Sequence, residues 1–281
     1  ATAAQLKTVG DATGLNVTAT AVEGISNSSV AQVIALLTDE GGTGDKVNLD
    51  GNFTVAINDT GTVDAADLNT INTATTGLVT ATGVATINGT ASAITTLIGN
   101  EGTSGDKVDL ATDFTMTVSS GNATVSQANT MAAHSTSGAI TATISNTAIA
   151  DLDDLSTSSA DQLTITVATG AVTASALNTV NGATGLNVTA TSVTGITGTA
   201  AEFETLMDNT SSTGDNMNLD GDFTVTVSDG TTTAAQLAKI DAKTSKNVDA
   251  ALVAAISGSA SELTTIAAAQ GAGDNQYTLK G

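Results

Sequence analysis

Apolar and polar residues alternate in short bursts along this chain, and the bursts return at a regular spacing. Between Asp222 and Lys243, Phe223, Val225 and Val227 alternate with Thr224, Thr226 and Ser228, the period of two that marks a strand with one buried face. Asp229-Gly230 turns the chain, and Thr233-Ala-Ala-Gln236 reads as a capping box that opens a helix. Leu237 and Ile240, three apart, fall on one face of that helix. The same cap recurs at Thr2-Ala-Ala-Gln5, Asp64-Ala-Ala-Asp67, Thr199-Ala-Ala-Glu202 and Ser259-Ala-Ser-Glu262, the Asp67 version being shorter and the weaker cap. Each precedes an apolar pair such as Leu6/Val9, Leu68/Ile71, Phe203/Leu206 or Leu263/Ile266. The predicted unit is strand, turn, short helix, loop. Helices this short are marginal alone in water, so packing on the strands must hold them.

Four Gly-led copies lie at Gly14-Leu-Asn-Val-Thr-Ala-Thr20, Gly77-Leu-Val-Thr-Ala-Thr82, Gly138-Ala-Ile-Thr-Ala-Thr143 and Gly185-Leu-Asn-Val-Thr-Ala-Thr191. Phe-led copies lie at Asn52-Phe-Thr-Val55, Asp113-Phe-Thr-Met116 and Asp222-Phe-Thr-Val225. Self-similarity at a spacing of about 24 to 31 residues signals a stack in which each unit buries its apolar face against its neighbours. The expected fold is an α/β solenoid of about nine strand–turn–helix coils, with a parallel β-sheet and short helices along one side, continuous over 1–281. Strands are expected near Leu15, Phe53, Val79, Phe114, Ile140, Leu163, Val188, Phe223 and Val248. The coils over 138–183 are shorter and lack the long loop found elsewhere, and both ends fall mid-coil and are expected to be open. One conflict follows. Strands repeat every ~4.8 Å, whereas packed helices need about 8–10 Å. Either the stack curves, or alternate coils place their helices differently.

Composition narrows the function more than the fold. Four Phe, one Tyr and no Trp allow only a thin core. With 28 Asp and Glu against seven Lys and a net charge of −21, the chain has no broad phosphate-binding surface, so no nucleic-acid partner is expected. The seven cations are all Lys, and the lack of Arg, the usual bidentate anchor for phosphate or carboxylate, weakens most enzyme readings. Without Cys there is no disulfide and no thiolate site. No run of 18 apolar residues is present, so no membrane-spanning segment is expected, and the N-terminal stretch does not read as a signal peptide.

Val63-Asp-Ala-Ala-Asp-Leu-Asn-Thr-Ile71 and Gly195-Ile-Thr-Gly-Thr-Ala-Ala-Glu202 carry a likeness that extends over nearly the whole chain. In these strings it resembles repeat regions of giant cyanobacterial cell-surface proteins, acidic chains of haemolysin-like or calcium-binding type. The resemblance implies an extracellular or cell-surface structural array and supplies no catalytic residues. The calcium nonapeptide is not properly present: Gly41-Gly-Thr-Gly-Asp-Lys-Val-Asn-Leu49 comes near it but is one residue short and does not recur in tandem.

Two features could still carry chemistry. Thr18/Thr20, Thr80/Thr82, Thr115/Thr117, Thr141/Thr143, Thr164/Thr166, Thr189/Thr191 and Thr224/Thr226 are expected to project from one sheet face. Such a lattice would suit ice or another crystal surface; the plainer reading is that Thr is a good polar strand former. Asp45, Asp50, Asp106, Asp109, Asp215, Asp220 and Asp222 in the loops are weak calcium candidates, with Asp39, Glu40, Glu101 and Asp208 nearby in sequence. Asp is also an ordinary turn residue. The eight Asn-x-Ser/Thr sequons from Asn16 to Asn209 follow from composition, and His134, the only imidazole, sits at a helix end where a cation is favoured. No catalytic or cofactor-binding residue is assigned, and calcium is the only cofactor with any candidate ligands. The expected role is a non-enzymatic structural module that stacks head to tail on itself, driven by open strand edges; the alternative is a surface-binding module.

Overall fold

Short helices alternate with short parallel strands, and local capping sets where each helix begins. Thr2 pairs with Gln5, Ser29 with Gln32, Thr199 with Glu202, Thr233 with Gln236 and Ser259 with Glu262 in reciprocal capping boxes. Such a cap contributes about 1 kcal/mol. At Ser259 the backbone N–H and hydroxyl both donate to Glu262 and hold its carboxyl below the usual range. Asp64 caps without a box, its carboxylate accepting from the Ala66 N–H at 2.7 Å. The computed structural model describes all residues except 45, 135–137, 212, 213, 215, 229, 272, 275 and 281.

The chain divides into two compact units, Ala1–Ala142 and Thr143–Gly281. The first begins with α1 (Ala3–Thr13), β1 (Val17–Ala19), β2 (Gly24–Ser28), α2 (Val30–Thr38), β3 (Val47–Leu49), β4 (Thr54–Ile57) and β5 (Thr62–Asp64). It continues through α3 (Ala65–Thr73), β6 (Val79–Ala81), β7 (Thr86–Thr90), α4 (Ala91–Gly99), β8 (Val108–Leu110), β9 (Thr115–Ser120) and α5 (Val125–His134). Strand β10 (Ile140–Thr143) reaches the division between the units. The second unit runs α6 (Ile149–Leu152), β11 (Gln162–Thr164), β12 (Gly170–Thr173), α7 (Ala174–Gly182), β13 (Val188–Ala190), β14 (Val193–Gly198) and α8 (Ala200–Asp208). It ends with β15 (Met217–Leu219), β16 (Thr224–Val227), β17 (Thr231–Thr233), α9 (Ala234–Asp241), β18 (Val248–Ala250), β19 (Ala255–Ser257), α10 (Ala260–Ala268) and β20 (Tyr277–Leu279).

The fold is α/β with several parallel sheets, but the strand inventory corrects the expectation. Twenty strands are present among the described residues, where the sequence pattern points to nine in one sheet. Each helix-to-helix step holds two or three strands in most of the chain, and these fall in different sheets. In the first unit the ladders are β1-β3, β2-β4-β6-β8 and β5-β7-β9-β10. In the second they are β12-β14-β16-β18-β20, β13-β15 and β17-β19. The strands missed by the pattern are mostly three to five residues long, too short for an alternation of two to show.

The register explains how helices fit above closely spaced strands. Asp64 pairs with Asn88, Thr173 with Thr197 and Thr233 with Ser257. After the first member of each pair a helix starts at once; after the second, the chain runs on two more residues before α4, α8 or α10 begins. Neighbouring helices are thereby offset by roughly 6–7 Å along the strands. Alternate coils do place their helices differently. The extra residues favour glycine: a Cβ on Gly198 would lie 2.8 Å from the Ala174 Cβ, and Gly89 takes φ +141°, a conformation side chains disfavour.

Consecutive helices pack from α1 to α5 and from α6 to α10. Between helices and strands, Phe53, Leu68, Ile71, Ile87 and Ile94 are buried in the first unit, as are Leu177, Ile196, Phe203, Phe223 and Leu237 in the second. The short coils over 138–183 show their deletion as a single-turn helix, α6, whose Ala148 makes no side-chain cap.

Candidate functional site

The fourteen candidate threonines do not form one face. Thr18 belongs to β1, Thr80 to β6, Thr115 and Thr117 to β9, and Thr141 and Thr143 to β10. Thr164 lies on β11, Thr189 on β13, and Thr224 and Thr226 on β16. In the first unit these strands are spread over three ladders. Thr20, Thr82 and Thr191 lie in turns beyond their strands, and Thr166 makes an isolated bridge to Thr189. Gly-led and Phe-led copies share a ladder at β4–β6 and at β9–β10, where Thr117 aligns with Thr141, but the Gly-led copies at 14 and 185 pair instead with the short strands β3 and β15.

The register builds shorter rows instead. Thr62, Thr86 and Thr115 are aligned in the first unit, with the Thr86 and Thr115 Oγ1 atoms 2.9 Å apart. In the second, Thr173, Thr197 and Thr226 continue through Asp249 to Thr278. Sequence reasoning missed Thr62, Thr86, Thr173, Thr197 and Thr278. A search for Thr pairs 24 and 29 residues apart would have found the first four, whereas Thr278 is reached only through Asp249.

The loop carboxylates are dispersed. Asp45 and Asp215 lie outside the described residues. Asp50, Asp106, Asp220 and Asp222 are exposed in loops and turns, while Asp109 is half-buried in β8 and aligned with Thr80. Among the described residues no group of three or more His, Cys, Asp or Glu side chains is placed to hold a metal ion. Asp39 is held by the Lys7 ammonium, which also meets Asp11 at 2.9 Å; the Lys7 bond keeps the Asp39 carboxyl below its usual range. His134 Nδ1 lies 3.1 Å from Glu101 Oε2 at the end of α5.

What organises the long loops is an amide. After α2, α4, α8 and α10 the chain makes isolated parallel bridges, Glu40 to Val47, Glu101 to Val108, Thr210 to Met217 and Gln270 to Tyr277. An Asn one coil earlier, in Gly-Leu-Asn-Val at Asn16 and Asn187 and in Ser-Lys-Asn-Val at Asn247, reaches into the loop. Asn16 Nδ2 donates to the Gly41 and Lys46 carbonyls at 2.9 and 3.2 Å. Asn187 does the same to Ser211 and Asn216 at 3.0 and 2.8 Å, and Asn247 to Gly271 and Gln276 at 3.2 and 3.0 Å. Carbonyl oxygens of the kind that ligate calcium are occupied here by amide donors. The second loop is the exception, because Leu78 stands where the Asn would be.

Buried hydroxyls provide a second tie. Thr184 Oγ1 donates to the Leu163 carbonyl at 2.8 Å and accepts from the Leu186 N–H at 3.1 Å. Thr244 donates to the Phe223 carbonyl at 2.5 Å and accepts from the Lys246 N–H at 3.1 Å; Thr75 bonds the Phe53 carbonyl in the same manner. Two neighbouring, partly buried groups are perturbed, Asp241 and Tyr277. Burial pushes the Asp241 carboxyl up, against an opposing contact from the Tyr277 hydroxyl, and its Oδ1 is buried without a partner. Burial and the Asp241 charge raise Tyr277 in turn; its long 3.4 Å bond to the Leu237 carbonyl is the weaker contact. Asn72 and Asn181 occupy the matching helix position in α3 and α7, and their Oδ1 atoms are also buried without partners.

Comparison with protein-family models, with curated proteins and with solved structures finds no match to this chain. Among the described residues no helix is long and apolar enough to cross a membrane.

Proposed function

We propose that this chain is a structural repeat module of an extracellular or cell-surface protein, about nine coils wound as one α/β solenoid and serving as spacer, fibre or coat. The reading is non-enzymatic and takes further copies of the chain, stacked head to tail, as the natural partner. One observation carries it: the polar groups that recur with the repeat are spent on joining one coil to the next. The Asn16, Asn187 and Asn247 amides and the Thr75, Thr184 and Thr244 hydroxyls all bond main-chain carbonyls of an adjacent coil. A net charge of −21 favours solubility along an extended surface and repels nucleic acid. Electron microscopy at high protein concentration, in calcium and in chelator, tests the reading. Rods or fibres are expected; compact separate particles in both conditions overturn it.

A second reading, a face that binds ice or another ordered surface, draws on the aligned Thr173, Thr197, Thr226 and Thr278. Thermal hysteresis measured on concentrated protein tests it, and a null result ends it.

A further inference from the structure

One helix position faces the strand that closes the next long loop, and two coils show the meeting directly. A Cβ on Gly10 of α1 would lie 2.8 Å from Cγ2 of Val47, the first residue of β3. The matching position holds Asn72 in α3, Asn181 in α7 and Asp241 in α9. The residues that match Val47 are Val108, Met217 and Tyr277, each the far partner of an isolated bridge. In the last of these coils the Tyr277 hydroxyl meets Asp241 and donates a long 3.4 Å bond to the Leu237 carbonyl. Glycine lets Val47 close on the helix backbone, whereas a side chain at that position holds helix and strand apart.

At α3 and α7 the polar side of this meeting is incomplete. Oδ1 of Asn72 and of Asn181 is buried with no hydrogen-bond partner among the described residues, and so is Oδ1 of Asn69 and of Asn178, three residues earlier on the same helix face. Asn72 as a whole is only 6 % exposed. The orientation of the earlier amides is fixed by their nitrogens: Asn69 Nδ2 donates to the Ala93 carbonyl at 2.9 Å and Asn178 Nδ2 to the Glu202 carbonyl at 3.0 Å. Turning either amide over would set oxygen against oxygen. Native proteins rarely keep a buried acceptor bare. Val108 and Met217 bring no proton donor to the place where Tyr277 brings one.

We propose that each pair, Asn69 with Asn72 and Asn178 with Asn181, holds one buried water that donates a proton to both Oδ1 atoms. Residues three apart on a helix stand about 5–6 Å from each other at Cβ, a span that one water bridges with two ordinary bonds. A divalent cation would need about six or more oxygen ligands, and each pair offers two. The coil of α9 supports the assignment: there Ala238 replaces the first Asn, so one of the two acceptors is gone, and the Tyr277 hydroxyl takes the water's place. Leu68-Asn-Thr-Ile-Asn72 and Leu177-Asn-Thr-Val-Asn181 are therefore the signature of a coil that carries internal water, and α1, with Lys7 and Gly10 at these positions, carries none.

A crystal structure of the intact chain that shows ordered solvent is the first test. One water is expected within hydrogen-bond distance of both Oδ1 atoms in each pair, and none between Tyr277 and Asp241. Oxygen-17 relaxation dispersion, which counts long-lived waters in solution, is the second. Asn72→Leu should lower the count by one, and adding Asn181→Leu by one more. Asn187→Leu, which alters an amide that already bonds protein carbonyls, should leave it unchanged. Oδ1 atoms bonded to protein donors, an ion ringed by oxygens at either pair, or a count that Asn72→Leu does not lower overturns the proposal.

Discussion

Helices α8 and α10 are written almost alike and end in different surroundings. Both open with a capping box, Thr199 with Glu202 and Ser259 with Glu262, and both lead into an Asn-clamped loop. Yet α8 buries Ala200, Phe203, Leu206 and Met207, whereas α10 buries Ile266 alone. Phe203 is 0 % exposed and Leu263, at the same helix position, 36 %. The difference lies in the neighbours. Helix α8 packs against both α7 and α9, while α10 packs against α9. An apolar stripe in this fold supplies half of a contact, and the next coil supplies the rest.

Truncation separates the two helices most widely. Phe203→Ala should cost about 3–5 kcal/mol in chemical unfolding, whereas Leu263→Ala should cost roughly 0.5–1 kcal/mol. Equal losses would erase the contrast. Next come the glycines that let β14 and the segment after β19 pass the preceding helix. A Cβ would lie 2.8 Å from Ala174 at Gly198 and 3.1 Å from Ala234 at Gly258. Gly198→Ala should destabilise by about 1–3 kcal/mol, and Gly258→Ala by less, since the final coil can shift. The clamps should behave in the opposite sense. Asn187→Leu and Asn247→Leu should each cost about 1 kcal/mol, because both loops are tied in the same way; a twofold disparity would mean that the final loop is already frayed.

The smallest effect concerns Asp241 at the end of α9, beside the Tyr277 hydroxyl. Its folded carboxyl titrates above the ordinary 3.8 because burial disfavours the charge. The folded state thus binds this proton more tightly, and the associated stability is present below the unfolded value and lost as pH rises through the folded one. Asp241→Asn, matching Asn72 and Asn181, should raise stability at neutral pH by about 0.5 kcal/mol and flatten its decline above about pH 4. Thermal midpoints across pH measure this, and an unchanged slope would remove Asp241 as the cause.

Helix starts were legible because caps are local: Thr2, Thr199, Thr233 and Ser259 announce themselves within four residues. Parallel pairing followed from the helices between strands. The many short strands did not show, since Val47-Asn-Leu49 has no room for a period and is defined by Val17-Thr-Ala19 thirty residues earlier. The threonine face failed for the same reason: which hydroxyls align is a property of register, not of the Thr-x-Thr motif. Asn16 and Asn187 stood in plain sight inside a repeated motif, but their acceptors lie a whole coil downstream. Leu78 and Ala139 stand at the same position in the two copies that lack the Asn.

The offset between neighbouring helices also limits how such a chain can grow. Aligned positions step 24 residues from Val172 to Ile196, then 29 to Val225, and the same pair of steps joins Val63, Ile87 and Met116. A duplication that keeps full-length helices side by side carries both steps at once, a block of about 53 residues. Where short steps follow without the long one, as from Met116 to Ile140 and from Thr166 to Thr189, the helix between them, α6, is cut to a single turn.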